Sequence, residues 1–352
     1  MKILLIKLSS LGDTIHTLPS ISDIQSHMPH AEITWAIEPA FAEIARLHPH
    51  VKRVLPVPLR QAKQARHTAR LLYHIYKTIR QTQYDHIIDA QGLLKSSLLS
   101  YVARGHNSGY SKACAREPLA SYWYQQTYNV PKHTHAIWRT KALCAHVCNY
   151  TIPQHLDFAI GTHHRDSLTK DAPVLLFHGT TWESKHYPES HWKQLIKLIT
   201  EAGYRVAIPW GNDIEHERAK RLATHPQVTV LPRLSLSELK TVIIAARGAI
   251  GVDTGLSHLA GAVGTPCVGL YGPTDHTLAG NMGNHQIQVS ARRDCPPHPQ
   301  SPFVGSASKN PQQVPHFLRM ENIQPEQAWQ ALQSLWENGA TTPLPHEVVE
   351  SS

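Results

Sequence analysis

An alternation of apolar runs and chain-breaking turns between residues 249 and 275 constrains the fold more than any other stretch. The apolar run 249–252 stops at Asp253-Thr254-Gly255, a helical pattern follows, and a second apolar run covers 267–271. This order predicts a strand, a turn, a helix and a further strand, the repeating unit of a parallel sheet. Asp253 and Thr254 lie where a helix cap is expected, and the free N–H groups of a helix start favour an anion.

That turn could be part of an ordinary βαβ crossover with no further role. Two neighbours favour a binding role instead. His258 lies one turn into the predicted helix, and a second breaker, Gly272-Pro-Thr-Asp275, ends the next strand at the same edge of the predicted sheet.

The alternation of strands and helices occurs in both halves of the chain. We predict strands at 2–7, 33–37, 51–57, 86–89, 174–178, 204–209 and 228–231, and helices at 14–25, 133–147, 188–202, 214–223, 235–246 and 323–332. The periodicity lapses around residues 150–157, and 352 residues exceed the usual size of one hydrophobic core. The expected architecture is α/β, with two Rossmann-like domains, 1–155 and 165–340, whose parallel sheets face each other across a cleft, and a disordered tail at 341–352.

The positive charge of the chain is concentrated in its first half. Residues 1–150 hold 18 Lys and Arg against 8 Asp and Glu, whereas the remainder holds 16 against 18. Arg60, Lys63, Arg66 and Arg70 recur at helical spacing, and no acidic residue occurs between Glu43 and Asp85. The first half therefore faces an anion, which could be a nucleic acid, an acidic membrane surface or an anionic substrate.

Several functional classes lack their sequence signals. No apolar run approaches the roughly 20 residues of a membrane span, so we expect a cytoplasmic protein. Five cysteines without a CxxC pair fit a reducing compartment, and 26 scattered histidines show no metal-ligand spacing. Neither a Walker A motif nor GxGxxG follows the first strand, which argues against an ATPase or a dehydrogenase.

The candidate functional residues lie in loops or helix starts that follow predicted strands. Asp13 follows the first strand, where it could be a helix N-cap or a base at the carboxyl edge of the sheet, and the residues leave both open. The corresponding positions of the second half are Thr180, Thr181, Lys185, Glu215, Asp253, Thr254, Gly255 and His258. Hydroxyls, helix-start N–H groups and one lysine suit a nucleotide diphosphate, and carboxylates suit sugar hydroxyls. Without a DxD-type acidic pair, the protein itself would have to stabilise a leaving group.

Six collinear motifs carry a resemblance to a known family. They are residues 7–19 (KLSSLGDTIHTLP), 89–96 (DAQGLLKS), 115–121 (AREPLAS), 178–181 (HGTT), 252–258 (VDTGLSH) and 271–275 (YGPTD). In these motifs the chain resembles glycosyltransferase family 9, the heptosyltransferases, in order from residue 1 to about residue 290. The first-loop motif and the AREP motif resemble the member that adds the first heptose more than the member that adds the second.

The resemblance implies a GT-B fold and metal-independent, inverting transfer of L-glycero-D-manno-heptose from ADP-heptose to the inner Kdo of Kdo2-lipid A, in lipopolysaccharide core biosynthesis. It implies no cofactor beyond this co-substrate, no nucleic acid partner, and a peripheral location on the cytoplasmic face of the inner membrane. Asp13 matches the general base, and the eight second-half positions together with Leu234 match donor-binding residues. Arg60, Lys63, Lys95, Arg116 and Arg139 are the candidates for acceptor binding. Kdo carboxylates and lipid A phosphates would explain the basic first half.

Three alternatives remain open at this point. The chain could be a later-acting heptosyltransferase of the same family, a nucleotide-sugar epimerase, or a sugar-binding protein without turnover. Asp13 distinguishes them, because a transferase needs a base for the acceptor hydroxyl and a binding protein does not.

Overall fold

A computed structural model describes residues 1–62, 68–161, 171–291 and 308–338 of the chain. The chain divides into two compact units, Met1–Ile160 and Gly161–Ser352. Within the described residues each unit contains one six-stranded sheet in which every strand pairing is parallel. The predicted α/β architecture with two parallel sheets is therefore confirmed. The tail at 341–352 lies outside the described residues.

The first unit is wound around a central buried strand. Its strands are β1 (Lys2–Ile6), β2 (Glu32–Ile37), β3 (Val51–Pro56), β4 (Gln83–Asp89), β5 (Arg104–Tyr110) and β6 (Gln126–Tyr128). Its helices are α1 (Leu11–Ile15), α2 (Leu18–His27), α3 (Ala42–Leu47), α4 (Leu59–Ala62), α5 (Thr68–Ile79), α6 (Leu94–Val102) and α7 (Ala136–Cys148). The strand order is β3-β2-β1-β4-β5-β6. Residues 3–6 of β1 are fully buried, as expected of a parallel strand covered on both faces.

The second unit repeats this winding. Its strands are β7 (Val174–Phe177), β8 (Val206–Ile208), β9 (Val228–Val230), β10 (Gly248–Val252), β11 (Cys267–Tyr271) and β12 (Gln286–Ser290). Its helices are α8 (Glu189–Glu201), α9 (Asp213–Leu222), α10 (Leu236–Ala245), α11 (Gly255–Ala262), α12 (His276–Ala279) and α13 (Pro325–Asn338). The strand order is β12-β11-β10-β7-β8-β9.

Each sheet reverses its winding between the first and fourth strands of its unit. The reversal lies between β1 and β4 in the first sheet and between β7 and β10 in the second. Helices leave the two strands on opposite sides at such a switch point, which opens a crevice beyond the carboxyl ends of the strands. The fold therefore places one candidate ligand crevice in each unit.

Some local predictions differ from the structure. The helix predicted at 14–25 is two helices, α1 and α2. A short 3₁₀ helix, Pro118–Trp123, lies between β5 and β6. Strand β5 was not predicted, because RGHNSGY carries no apolar alternation. Its extended conformation is stabilised by parallel pairing with β4 and β6, which are distant in sequence.

A buried ion pair joins two helices of the first unit. The Lys141 ammonium on α7 lies 3.2 Å from the Asp23 carboxylate on α2 and donates to the His155 carbonyl at 2.8 Å. Both side chains are almost fully buried. Burial raises the pKa of Asp23 and lowers that of Lys141, so the cost of removing both charges from water outweighs their mutual attraction.

We expect Lys141→Met to lower the free energy of unfolding by about 3–5 kcal/mol, because it leaves the Asp23 carboxylate buried without its cation. Urea denaturation would measure the change. Lys197→Met removes the cation of an exposed pair with Glu201 and should change stability by less than about 0.5 kcal/mol. Equal changes in the free energy of unfolding for the two variants would contradict the stabilising role of Lys141 in the buried pair.

Candidate active site

The crevice of the first unit is built around Lys7, the residue that follows β1. Its ammonium is buried, donates to the Ala90 carbonyl at 3.0 Å and lies 4.0 Å from Oδ1 of Asp13. Ala90 follows β4, so this side chain spans the two strands at which the sheet reverses. A cation is thereby fixed at the switch point, with a carboxylate opposite it.

Asp13 belongs to the first turn of α1 and is not its N-cap, so the N-cap interpretation was wrong. Ser10 occupies the N-cap position, and Oδ2 of Asp13 accepts hydrogen bonds from the Ser10 backbone N–H at 2.9 Å and from its hydroxyl at 3.0 Å. This reciprocal capping arrangement uses one carboxylate oxygen. It leaves Oδ1 facing Lys7, with the side chain about a quarter exposed.

Gln91 holds the loop between β1 and α1 against the end of β4. Its Oε1 accepts from the backbone N–H groups of Leu8 and Ser9 at 2.9 and 3.2 Å. Its own N–H donates at 2.9 Å to Asp89, a carboxylate that is fully buried. The loop that presents Asp13 is therefore positioned by the Gln91 side chain, which follows the end of β4 and binds the backbone of the loop.

A small pocket opens beside Asp13. Its volume is about 70 Å³, and its lining includes Lys7, Asp13, Gln91, Tyr110, Arg116 and Arg139. The Arg139 guanidinium lies 4.8 Å from the centre of the Tyr110 ring and donates to the Cys114 carbonyl at 2.7 Å. Arg116 is exposed. The pocket thus combines one carboxylate with three cations, which suits a small anionic group that also carries a hydroxyl.

The charges around Asp13 decide its ionisation. Burial alone would raise its pKa, but the Lys7 ammonium, the Ser10 N–H and the Arg116 guanidinium outweigh burial and bring the pKa below its ordinary value of 3.8. Burial lowers the pKa of Lys7, and the Arg139 cation adds to this effect against the opposing Asp13 carboxylate. Asp13 is therefore an ionised acceptor of protons at neutral pH.

Four of the five acceptor-site candidates belong to the described residues, and they fall into two groups. Arg116 and Arg139 lie at the Asp13 pocket. Arg60 and Lys95 lie near a different buried carboxylate, Glu38, which accepts from the Arg60 N–H at 3.1 Å. Burial raises the pKa of Glu38, whereas the charges of Arg60 and Lys95 lower it. Lys63 lies outside the described residues.

In the second unit, Asp253 follows β10 and is the centre of the donor-site candidates. Its Oδ2 lies 2.6 Å from the Lys185 ammonium, and its Oδ1 lies 3.6 Å from Nε2 of His258. The Thr180 hydroxyl donates to the Asp253 backbone carbonyl at 3.2 Å. Thr180 comes from the loop after β7, so these contacts span the switch point of the second sheet.

The local chain conformation around Asp253 follows from its sequence. Thr254 is the N-cap of α11, in agreement with the helix cap predicted at Asp253 and Thr254, and Gly255 is the first residue of the helix. Burial would raise the pKa of Asp253, but His258 and Lys185 together hold it well below its ordinary range. The carboxylate is ionised, and it neutralises part of the Lys185 charge.

The remaining donor-site candidates surround this cluster to different degrees. Glu215, in the first turn of α9, accepts from the Gly211 N–H at 2.8 Å. It also packs over Gly179, where a Cβ atom would lie 2.6 Å from the Glu215 carboxyl carbon, so a side chain at this position would displace the Glu215 carboxylate. Thr181 is exposed, and Leu234 is half-buried in the loop before α10.

Two residues of the first pocket were not identified as site residues from the sequence. Lys7 and Gln91 are functional candidates only because of their contacts with Ala90, Leu8, Ser9 and Asp13. A signal for Lys7 was present, since a lysine directly after four buried apolar residues requires a partner. Among the described residues, no group of three or more His, Cys, Asp or Glu side chains is placed to hold a metal ion.

Comparisons with known proteins agree with this geometry. Residues 72–302 match the model of glycosyltransferase family 9 (heptosyltransferase). Lipopolysaccharide heptosyltransferase 1 of Pseudomonas aeruginosa PAO1 is 41% identical over 304 residues, which cover 84% of this chain and 86% of that protein. Among solved structures, the E. coli heptosyltransferase WaaC with ADP matches with a TM-score of 0.81 and 35% sequence identity. The match covers 97% of this chain and 100% of the WaaC chain. The same enzyme with ADP-2-deoxy-2-fluoro heptose has a TM-score of 0.79 and 34% identity, covering 95% and 99%.

The two parallel sheets with a crevice at each switch point define an enzyme of the GT-B-like glycosyltransferase class. More specifically, the chain belongs to glycosyltransferase family 9, the heptosyltransferases. The family resemblance seen in the six sequence motifs is confirmed.

We expect Lys7→Met to raise the pKa of Asp13, because the change removes the largest charge that favours the carboxylate. Carbon-13 NMR titration of the Asp13 carboxyl would show protonation beginning at higher pH than in the unchanged protein. Lys2→Met, at the opposite end of β1, is the matched control and should leave the titration in place. An unchanged Asp13 titration in Lys7→Met would contradict the pairing.

Proposed function

We propose that the protein transfers L-glycero-D-manno-heptose from ADP-heptose to the inner Kdo residue of Kdo2-lipid A, with inversion at the anomeric carbon. The observation that carries this proposal is the pocket at the first switch point, where the ionised Asp13 lies among Lys7, Arg116 and Arg139. The family supplies the class of sugar, because its members are heptosyltransferases. Family membership also favours a transferase over an epimerase or a binding protein without turnover.

The donor would bind at the second switch point. In this proposal the Lys185 ammonium and the N–H groups that begin α11 contact the diphosphate of ADP-heptose. The carboxylates of Asp253 and Glu215 then accept hydrogen bonds from sugar hydroxyl groups. Phosphate oxygens accept from the hydroxyls of Thr180, Thr181 and Thr254, and Leu234 contacts the adenine. The Lys185 charge, which is paired with Asp253, would stabilise the ADP leaving group without a metal ion. The ADP and ADP-heptose analogue in the WaaC structures support a nucleotide-sugar donor.

The acceptor would bind in the Asp13 pocket. Arg116 and Arg139 supply cations for the Kdo carboxylate, and Arg60, Lys63 and Lys95 are further candidates for contacts with the anionic lipid. Oδ1 of Asp13 takes the proton of the attacking hydroxyl while Oδ2 stays bonded to Ser10. One direct displacement of ADP then forms the new glycosidic bond on the opposite face of the heptose, which inverts the anomeric carbon.

A lipid acceptor implies that the enzyme works at a membrane surface, and we propose peripheral binding to the cytoplasmic face of the inner membrane. Residues 1–150 carry the excess of positive charge, and lipid A phosphates and acidic headgroups are anions. No helix among the described residues is both long and apolar enough to cross a bilayer.

The acceptor can be tested directly with ADP-heptose and two purified lipids. We expect transfer to Kdo2-lipid A, and little transfer to the same lipid that already carries the first heptose. Proton NMR of the product should show the anomeric configuration opposite to that of the donor. Preference for the heptosylated lipid would instead identify a later-acting heptosyltransferase, and retention of configuration would contradict the displacement mechanism.

We expect Asp13→Asn to lower kcat by about 10²- to 10⁴-fold, because an amide cannot accept the hydroxyl proton. Binding of ADP-heptose, measured by calorimetry, should change little, since Asp13 belongs to the acceptor pocket. Asp85→Asn is the matched control: this exposed carboxylate contacts the Lys2 N–H at the opposite end of the sheet and should not affect turnover. Normal turnover in Asp13→Asn would remove Asp13 as the base.

A further inference from the structure

Helix α6 buries Leu99 in the core of the first unit, but three of its other apolar side chains lie on its outer face. Its outward stripe consists of Leu94, Leu98 and Tyr101, spaced four and three residues apart, with Tyr101 59% exposed. Its buried face consists of Leu99 and of three serines, Ser96, Ser97 and Ser100, which are fully buried. A helix that only covers a sheet places the apolar stripe inward, so this arrangement indicates a further contact on the outer face.

The buried serines explain how the helix tolerates this arrangement. The hydroxyls of Ser96, Ser97 and Ser100 each donate to the backbone carbonyl three residues earlier, at 2.7–3.0 Å. The Ser100 oxygen also accepts from the Asn107 amide of β5 at 3.2 Å. Because these hydrogen bonds satisfy the buried serine hydroxyls, α6 can expose its leucine and tyrosine side chains on the outer face.

Two neighbouring segments extend the apolar face of α6. The 3₁₀ helix Pro118–Trp123 packs beside it and exposes Leu119, Tyr122 and Trp123, and Tyr101 meets Trp123 edge to face at 5.2 Å between ring centres. Helix α5 exposes Leu72, Tyr73 and Tyr76, and its end is joined to α6 by a hydrogen bond from Arg80 to the Val102 carbonyl at 2.9 Å. We call the exposed side chains of these three segments the aromatic face.

The charges around the aromatic face are mainly positive. Residues 68–123 contain seven Lys and Arg but only three Asp and Glu, of which Asp89 is fully buried. The Arg80 guanidinium lies 5.3 Å from the Tyr76 ring centre, and the Lys112 ammonium lies 5.6 Å from that of Tyr122. Tyrosine, tryptophan and leucine bordered by lysine and arginine are the side chains that suit the headgroup region of an anionic bilayer.

The aromatic face adjoins the Asp13 pocket. Glu117 bonds to both sides of the junction, because its N–H donates to the Gly92 carbonyl at 3.0 Å and its carboxylate accepts from the Leu94 N–H at 2.6 Å. Arg116, the preceding residue, lines the pocket. A lipid whose sugar enters the pocket would therefore have its anchored part next to the aromatic face.

We propose that the aromatic face docks the enzyme on an anionic lipid bilayer, in an orientation that presents the Asp13 pocket to the membrane. This inference rests on the proposed function for its lipid acceptor, but the membrane contact itself does not require turnover. A second copy of the chain is a poorer occupant, because a two-fold contact through this face would bring two positively charged surfaces together.

Sedimentation with vesicles of phosphatidylethanolamine and phosphatidylglycerol would test this proposal. We expect the unchanged protein to bind these vesicles, and to bind phosphatidylcholine vesicles more weakly. The double variant Leu98→Ser/Tyr122→Ser should bind the anionic vesicles about tenfold more weakly, since two apolar anchors are lost. Transfer to a soluble, deacylated acceptor should be unchanged in this variant, which checks that the fold and the pocket are intact.

The matched control is Ile214→Ser/Phe317→Ser, which removes two exposed apolar side chains of the second unit. It should bind the vesicles as the unchanged protein does. Equal losses in the two double variants, or none in Leu98→Ser/Tyr122→Ser, would overturn the proposal. So would dissociation of a dimer by that variant in ultracentrifugation without any change in vesicle binding.

The two proposals can fail separately. If the protein binds vesicles through the aromatic face but transfers no heptose to Kdo2-lipid A, the acceptor assignment is wrong and the docking surface stands. If transfer to Kdo2-lipid A occurs but vesicle binding does not depend on Leu98 and Tyr122, the function stands and the docking surface is wrong.

Discussion

The first unit depends on the ammonium of Lys7, which lies where the sheet changes direction. By donating to the Ala90 carbonyl it ties the end of β1 to the end of β4, and by facing Asp13 it stabilises an ionised carboxylate in a largely buried position. Without a nearby cation, burial would favour the protonated acid, which cannot act as a base. One buried charge thus connects the winding of the sheet with the chemistry expected of the pocket.

The second unit also has a lysine facing an aspartate at its switch point. Its sheet has the same winding, and the Lys185 ammonium lies 2.6 Å from Oδ2 of Asp253. The groups around these pairs differ: the first pocket has an excess of cations around one carboxylate, whereas the second site has one lysine, an imidazole and a helix start. These features fit an anionic acceptor in the first unit and a nucleotide diphosphate in the second.

The positive charge of the first half serves more than one purpose in this structure. Arg116 and Arg139 lie at the pocket, Arg60 and Lys95 lie near Glu38, and Arg80 and Lys112 lie beside exposed aromatic rings. Lys141 is different, because it is buried against Asp23 and stabilises the packing of two helices. A net charge counted over the sequence could indicate an anionic partner, but it could not divide these roles.

The sequence by itself determined the two α/β halves, most of their strands, and the positions of Asp13, Lys185 and Asp253 in the loops or helix starts that follow strands. A buried parallel strand corresponds to an apolar run between turn residues, and this pattern can be recognised from neighbouring residues in the sequence. Only the tertiary structure decided that Arg116 and Arg139, but not Arg60, lie at the Asp13 pocket, and that Gln91 holds the loop of Asp13. It also decided that β5 is a strand and that α6 exposes Leu94 and Leu98. Each of these depends on contacts between segments far apart in the chain, whose register and side-chain directions no local pattern specifies.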